Sequence, residues 1–297
     1  MQQTIDQGKV RLALITIQVL FGINYLASKV VVTAMSPGGW AALRTLGAFV
    51  ILAGIVLIGR RRLPSWRDSL LLGVAAFFGV VLNQGLFLEG LSRTTVGRSA
   101  LICSLIPTFV LLFSWMLRQE TITLRKALGF AAGLTGVLVL LEADRFRFDG
   151  RYLTGDLMTL ANAASYGFFI VFSRRIMARN DAWAATAVVF FFGAAGMGIY
   201  GGADLLRTPA AVFTPAMLGI MAYVIVGATV ATYFLNLWAV KRVQASRVAI
   251  FIFLQPLIAV VLGVTFRGEE LTVRFLIATA LVFVALLLRD GRPKESA

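Results

Sequence analysis

Long apolar runs alternate with short polar interruptions along the whole chain, and the interruptions carry most of the charges and turn-forming residues. A helix needs about 20 apolar residues to cross a hydrocarbon core about 30 Å thick. Ten runs approach that length, at residues 10–32, 38–59, 69–89, 96–117, 124–142, 154–174, 183–203, 214–237, 245–266 and 271–289. Ser36-Pro37-Gly38-Gly39 separates the first two, Arg60-Arg61-Arg62-Leu63-Pro64 stops the second, and the longest polar interruption, Asp144 to Arg151, falls at the midpoint. The pattern predicts an all-α membrane protein of ten transmembrane helices, since helices satisfy their own backbone groups in lipid. The first run is longer than a signal-peptide core, lacks a small-residue cleavage pattern and continues past Lys29, so it is expected to stay as helix 1.

Composition narrows the chemistry. Of 297 residues, 59% are hydrophobic and 14% charged, against roughly 25% charged in soluble domains. His is absent and Cys103 is the one cysteine, which excludes disulfide frameworks, Cys/His zinc sites and His-based catalytic triads. No catalytic residue, metal site or cofactor is expected, the chain reads as a non-enzyme, and the absence of a phosphate-cradling glycine loop argues against ATP hydrolysis. The net charge of +14 is scattered in short clusters between spans, so it reads as topology rather than as a nucleic-acid surface. Placing both termini in the cytoplasm puts 18 Lys and Arg residues on the inner side and 8 on the outer, with Lys29 and Arg44 inside or at the edge of helices 1 and 2. That asymmetry fixes the orientation.

The halves repeat. Shifted by 149 residues, Arg93 to Arg125 aligns with Arg242 to Arg274 without a gap, matching among others Arg98 with Arg247, Pro107 with Pro256, Glu120 with Glu269 and Thr123 with Thr272. Of seven prolines, only this matched pair lies well inside apolar helices. A weaker match at offset 145 pairs Gly22, Ser28 and Lys29 of helix 1 with Gly167, Ser173 and Arg174 of helix 6. The expected organisation is a five-helix repeat at 1–143, a connecting loop at 144–152 and a second repeat at 153–297. Five is odd, so the second repeat enters the membrane from the opposite side, an arrangement common in secondary transporters.

Arg44, the Ala100 to Pro107 segment running into Glu120, its copy from Ala249 to Pro256 into Glu269-Glu270-Leu271, and Gly155-Asp156 opening helix 6 resemble the drug/metabolite transporter superfamily. More narrowly, the chain resembles the ten-helix EamA-type exporters, nearest to the bacterial aromatic and neutral amino-acid exporters. One departure is Gln119-Glu120 where the family has Gly-Glu, although Gly268-Glu269 keeps that pair in the second half. The resemblance implies two inverted repeats around a central cavity lined by helices 1, 3, 4, 6, 8 and 9, and export across the bacterial inner (plasma) membrane by alternating access. The implied partners are an amino acid-like small molecule and the lipid bilayer. A monomer suffices, and the oligomeric state stays open. A passive channel, a lipid scramblase, or an exporter of a different metabolite or drug are the competing readings.

Polar residues within spans are costly unless paired or wet. The candidates for the cavity are Asn24 in helix 1, Asn83, Gln84 and Phe87 in helix 3, Asn162 and Tyr166 in helix 6, Tyr233, Asn236 and Trp238 in helix 8, and Gln255 in helix 9. Each amide is alternatively an interhelical hydrogen bond. Asn83 and Gln84 are adjacent, about 100° apart on a helix, so both face a cavity only near its edge. Every carboxylate reads as a loop or helix-end residue, which leaves movement down a gradient, or coupling through Glu89. Lys29 and Arg44 are candidate gating or structural charges; Arg44 alternatively reaches the outer interface, and either cation is able to meet an anionic group. Pro107 and Pro256 are expected to act as hinges or as fixed kinks. Trp40, Trp66, Trp115 and Trp183 sit near span ends, where interfacial anchoring is expected. Gly129, Gly133 and Gly136 predict close packing of helix 5, within the monomer or at a dimer contact.

Overall fold

The computed structural model describes residues 7–140, 150–258, 261 and 273–289, and these residues form helices and short connections without a strand. We number the rods α1 (Gln7–Ala34), α2 (Pro37–Ile58), α3 (Trp66–Arg93), α4 (Val96–Cys103 continuing as Ile106–Met116), α5 (Leu124–Leu140), α6 (Gly150–Met177), α7 (Ala182–Leu206), α8 (Pro215–Val240), α9 (Ala245–Ile258) and α10 (Val273–Arg289). Six of them, α1 to α4, α7 and α8, are long and apolar enough to cross a membrane. Several rods run a few residues beyond the apolar runs that predict them, because helices continue into flanking charged residues that a hydropathy reading assigns to loops. α3 and α6 are extended most, α3 starting at Trp66 rather than 69 and ending at Arg93 rather than 89, and α6 starting at Gly150 rather than 154 and ending at Met177 rather than 174. The α6 polar residues Thr159, Asn162, Ser165 and Ser173 are all buried, so its lower apolar content reflects an inward polar face. The Gly268-Glu269-Glu270-Leu271 motif lies outside the described residues.

Helix starts follow local chemistry. Ser36, Ser65, Thr95 and Thr214 each accept a backbone N–H from their own first turn, and Asp181 accepts two. Such caps satisfy donors that a helix start otherwise leaves open. Pro37 and Pro215 occupy first-turn positions, where the missing N–H costs nothing.

Small residues set the closest approaches. α2 packs along α7, where a Cβ added to Gly201 would stand 2.0 Å from the Gly38 carbonyl oxygen. α5 packs along α10, with Gly129 and Gly136 facing the Ala285 and Ala278 carbonyls, while Gly133 lies under the ring of Phe253 in α9. The glycine row of helix 5 therefore serves packing within the chain.

The rods are interrupted at matched places. α3 carries a π-helical turn over Phe77–Leu82 and α8 carries one over Val226–Ala231, each residue displaced by the repeat offset of 149. α4 breaks at Ser104 and Leu105, whose amides bond back three residues, and α9 tightens into a 3-10 turn over Ile250–Phe253. Both interruptions directly precede the helical turn holding Pro107 or Pro256. A proline there lacks the donor that would continue the ladder.

Two aromatic expectations need correction. Trp40 is fully buried, wedged among Val31, Leu88 and Met197, because the tight α2–α7 crossing encloses it. Trp183 is half-buried and stacked on Phe234 with ring centres 3.6 Å apart. Trp66 and Trp115 are exposed, as interfacial anchors would be.

Candidate functional site

The elements surround one cavity, lined by side chains from seven of the rods. α1 contributes Phe21, Asn24 and Tyr25; α3 contributes Asn83, Gln84 and Phe87; α4 contributes Cys103 and Ile106. Asn162 and Tyr166 come from α6, Tyr233 from α8, Gln255 from α9 and Arg44 from α2. Eight of the ten residues singled out in the sequence thus stand around one space. Asn83 and Gln84 both reach it despite being adjacent, directly after the widened π turn of α3.

The two absentees have other places. Asn236 stands behind the wall and donates through Nδ2 to the Tyr166 hydroxyl at 2.6 Å. Trp238 lies one turn before the charged end of α8, under the Arg242 guanidinium at 4.0 Å, so it binds a cation rather than the cavity. Phe21, Cys103 and Ile106 were not singled out from the sequence. A signal existed for the first: Phe21, Asn24 and Tyr25 are spaced i, i+3, i+4 and share a helix face.

The polar groups of the wall interlock across the two halves. Tyr233 Oη lies 2.5 Å from the Gly79 carbonyl, 3.0 Å from the side-chain oxygen of Asn83 and 3.4 Å from Gln84 Nε2. Tyr233 has one proton, and the short contact to Gly79 takes it, so the hydroxyl oxygen accepts from the Gln84 amide. That fixes the Gln84 amide's orientation and leaves its Oε1 buried without a partner. Asn162 Nδ2 donates to the Asn83 carbonyl at 2.7 Å, and Ser165 Oγ to the Phe78 carbonyl at 2.7 Å. Gln255 Nε2 donates to Gln18 Oε1 at 2.7 Å and its oxygen accepts from Tyr25 at 3.3 Å, tying α9 to α1. The π turns supply acceptors: the Gly79 carbonyl takes Tyr233, and the carbonyl of Ala228, 149 residues on, takes Arg44. Widened turns release carbonyls from the helical ladder, which is why they recur at functional sites.

Arg44 is 2% exposed, so it does not reach the outer interface. Pro37 starts its helix, which places Arg44 two turns deep. Its Nε donates to Thr229 Oγ1 at 2.6 Å and Nη2 to the Ala228 carbonyl at 3.3 Å. Lys29 reaches no carboxylate among the described residues; its Nζ donates to the carbonyls of Leu91 at 2.6 Å and Thr94 at 3.1 Å, tying α1 to the end of α3. Arg174, its counterpart in α6, has no side-chain hydrogen bond among the described residues. Glu89 lies in the last turn of α3, outside the cavity wall, where it pairs with Arg93 and accepts from Tyr200 at 2.6 Å.

Both ends of the bundle are tied by charges. At the end beside Lys29, Asp156 of α6 pairs with Arg98 and accepts from Thr94 at 2.8 Å. At the other, Asp68 pairs with Arg179, and Glu120 pairs with Lys126 at 2.8 Å while receiving the Ser246 amide at 3.2 Å and its hydroxyl. Burial pushes the Glu120 carboxyl upward, yet the Lys126 and Ser246 hydrogen bonds outweigh it and hold the group below its ordinary value. The glutamate that follows helix 4 thus fastens α4 to the start of α9.

Comparison with known proteins places this architecture. The chain is 27% identical to the uncharacterized transporter YvbV of Bacillus subtilis, over 98% of this chain and 94% of that protein. It is 25% identical to a probable amino-acid metabolite efflux pump of Salmonella typhimurium, over 93% of each. A protein of known crystal structure shares the fold with a TM-score of 0.76 at 22% identity, over 95% of this chain and 96% of the other. The EamA-like transporter family model matches residues 9–142 and 153–289, which take in every cavity residue described above, and the chain belongs to that family.

Proposed function

We propose that this protein is a multi-pass inner-membrane secondary transporter, with both termini cytoplasmic, that exports small metabolites, foremost aromatic and other neutral amino acids. In this reading ten spans form two inverted five-helix repeats, and the cargo crosses by alternating access without ATP hydrolysis. One observation carries it: Gln84 and Tyr233, residues 149 positions apart, meet in the wall of a cavity that also holds the amides of Asn24, Asn83, Asn162 and Gln255. A site on the seam between related halves is where a rocking exchange of their conformations uncovers cargo first to one side and then to the other. The paired helix breaks at Pro107 and Pro256 and the double match to one family model support the duplication.

The end ties suggest how the exchange is biased. Lys29 holds the carbonyls of Leu91 and Thr94 at the end of α3, whereas among the described residues Arg174 makes no bond to the equivalent carbonyls of Val240 and Val243 at the end of α8. Alternation swaps these states: Lys29 lets go as Arg174 engages, with the bends before Pro107 and Pro256 absorbing the motion. Gradients supply the energy, with Glu89 as the carboxylate available for coupling.

The test is uptake of labelled phenylalanine, tryptophan, alanine and threonine into liposomes containing the purified protein, with and without a pH gradient and with unlabelled compound inside. Saturable uptake accelerated by internal substrate is expected, strongest for the aromatic pair. Unsaturable flux without counterflow would indicate a channel or scramblase, and uptake confined to alanine and threonine would remove the aromatic assignment.

A further inference from the structure

We infer that the cavity is built for a zwitterionic head group, with Arg44 taking a carboxylate and the Gln84 side-chain oxygen taking an ammonium. The inference rests on reading the cavity as the cargo site and goes beyond it by assigning the two poles of that site.

The first observation is a charge out of balance. Arg44 is a buried guanidinium in the cavity wall, and no described carboxylate lies within ion-pair distance of it. Its fixed protein bonds, through Nε to Thr229 and Nη2 to Ala228, use two of five donors and hold the planar fork in place. A buried cation left unpaired is costly, and a carboxylate matches the guanidinium's fork geometry in two parallel hydrogen bonds.

The second observation is independent of charge. Gln84 is 2% exposed and lines the same cavity, and its Oε1 has no hydrogen-bond partner. Tyr233 cannot donate to it, because its single proton goes to Gly79. An acceptor fixed in this way, with no donor supplied by the protein, is complementary to a donor carried by the ligand. An ammonium offers three donors and no acceptor. The same wall carries apolar and aromatic groups, Phe21, Tyr25, Phe87 and Ile106, and Tyr25 and Phe87 meet edge to face at 5.6 Å. Such a wall suits an uncharged side chain. A cargo with an anionic head and no amine would satisfy Arg44 alone; a cationic drug would satisfy only Gln84 and would be repelled by Arg44.

The experiment measures ligand binding to the purified protein by isothermal titration, so it does not depend on transport. Two series are used: phenylalanine, 3-phenylpropionate and phenethylamine, and leucine, 4-methylpentanoate and isopentylamine. In at least one series the amino acid is expected to bind tightest, the carboxylate measurably, and the amine weakest. Arg44→Gln should weaken the amino acid and carboxylate at least tenfold and leave the amine unchanged or tighter; Arg44→Lys should recover part of the loss. Gln84→Leu should weaken the amino acid while sparing the carboxylate. Failure of every carboxylate to bind wild type, equal loss of all ligands in Arg44→Gln, or an amine bound better than its carboxylate would each overturn the assignment. The wild-type comparison decides even when a variant fails to fold. Arg44-dependent carboxylate binding without amino-acid uptake would retain the anion pole and discard amino-acid export; uptake with carboxylate binding indifferent to Arg44 would do the reverse.

Discussion

Removing one oxygen, in Tyr233→Phe, is expected to reduce transport about tenfold or more without loss of folded protein. The hydroxyl satisfies the Gly79 carbonyl and the Gln84 amide at once, and it faces the side-chain oxygen of Asn83 as well. Each buried partner left open costs about 1–3 kcal/mol, and a factor of ten corresponds to about 1.4 kcal/mol. The ring itself stays packed against Tyr166, Phe169 and Phe190, so the apolar contacts survive. The damage falls on the orientation of Gln84 and on the register between the halves. Initial uptake rates per folded molecule, with size-exclusion profiles as the control, check this; an unchanged rate would show that the Tyr233 hydroxyl does not organise the site.

Gly201→Val should have the largest structural effect of any single change considered. A Cβ at this position would lie 2.0 Å from the Gly38 carbonyl oxygen and 2.8 Å from its Cα, and backbone cannot rotate out of the way as a side chain can. α2 and α7 would have to separate, unpacking Trp40, at a cost on the order of 3 kcal/mol. The neighbouring Gly202, with nothing within 4 Å of an added Cβ, serves as the control. Thermal unfolding in detergent should show a clearly lowered midpoint for Gly201→Val and none for Gly202→Ala; equal midpoints would contradict the close crossing.

The rods were legible because each apolar run is bounded by charges or turn residues, and the polar wall because amides in a hydrophobic run stand out. Asn83, Gln84, Asn162 and Gln255 could be marked from residue type alone. Other features depend on neighbours that the chain order does not reveal. Trp40 sits near a helix start, as an interfacial anchor would, and only the Gly38–Gly201 crossing makes it core. Trp238 shares its helix with Asn236 and Tyr233, yet Arg242 four residues on claims its face. Cys103 and Ile106 are ordinary apolar residues until the break at Ser104 turns them inward. The matched π turns were invisible too, since Phe77–Leu82 and Val226–Ala231 share one residue in register, Val81 with Val230; the correspondence there lies in the backbone geometry.

Alternating exposure of the cavity is read out by labelling a single cysteine from each side of the membrane. Phe87→Cys in a Cys103→Ser background places one thiol in the wall of the cavity. A membrane-impermeant thiol reagent is applied to oriented vesicles from either side, with and without substrate. The account predicts labelling from both sides, slowed by substrate, with Lys29→Met shifting the balance toward the outer side by releasing the α1–α3 tie. Labelling from one side only, insensitive to substrate and to Lys29, would contradict it.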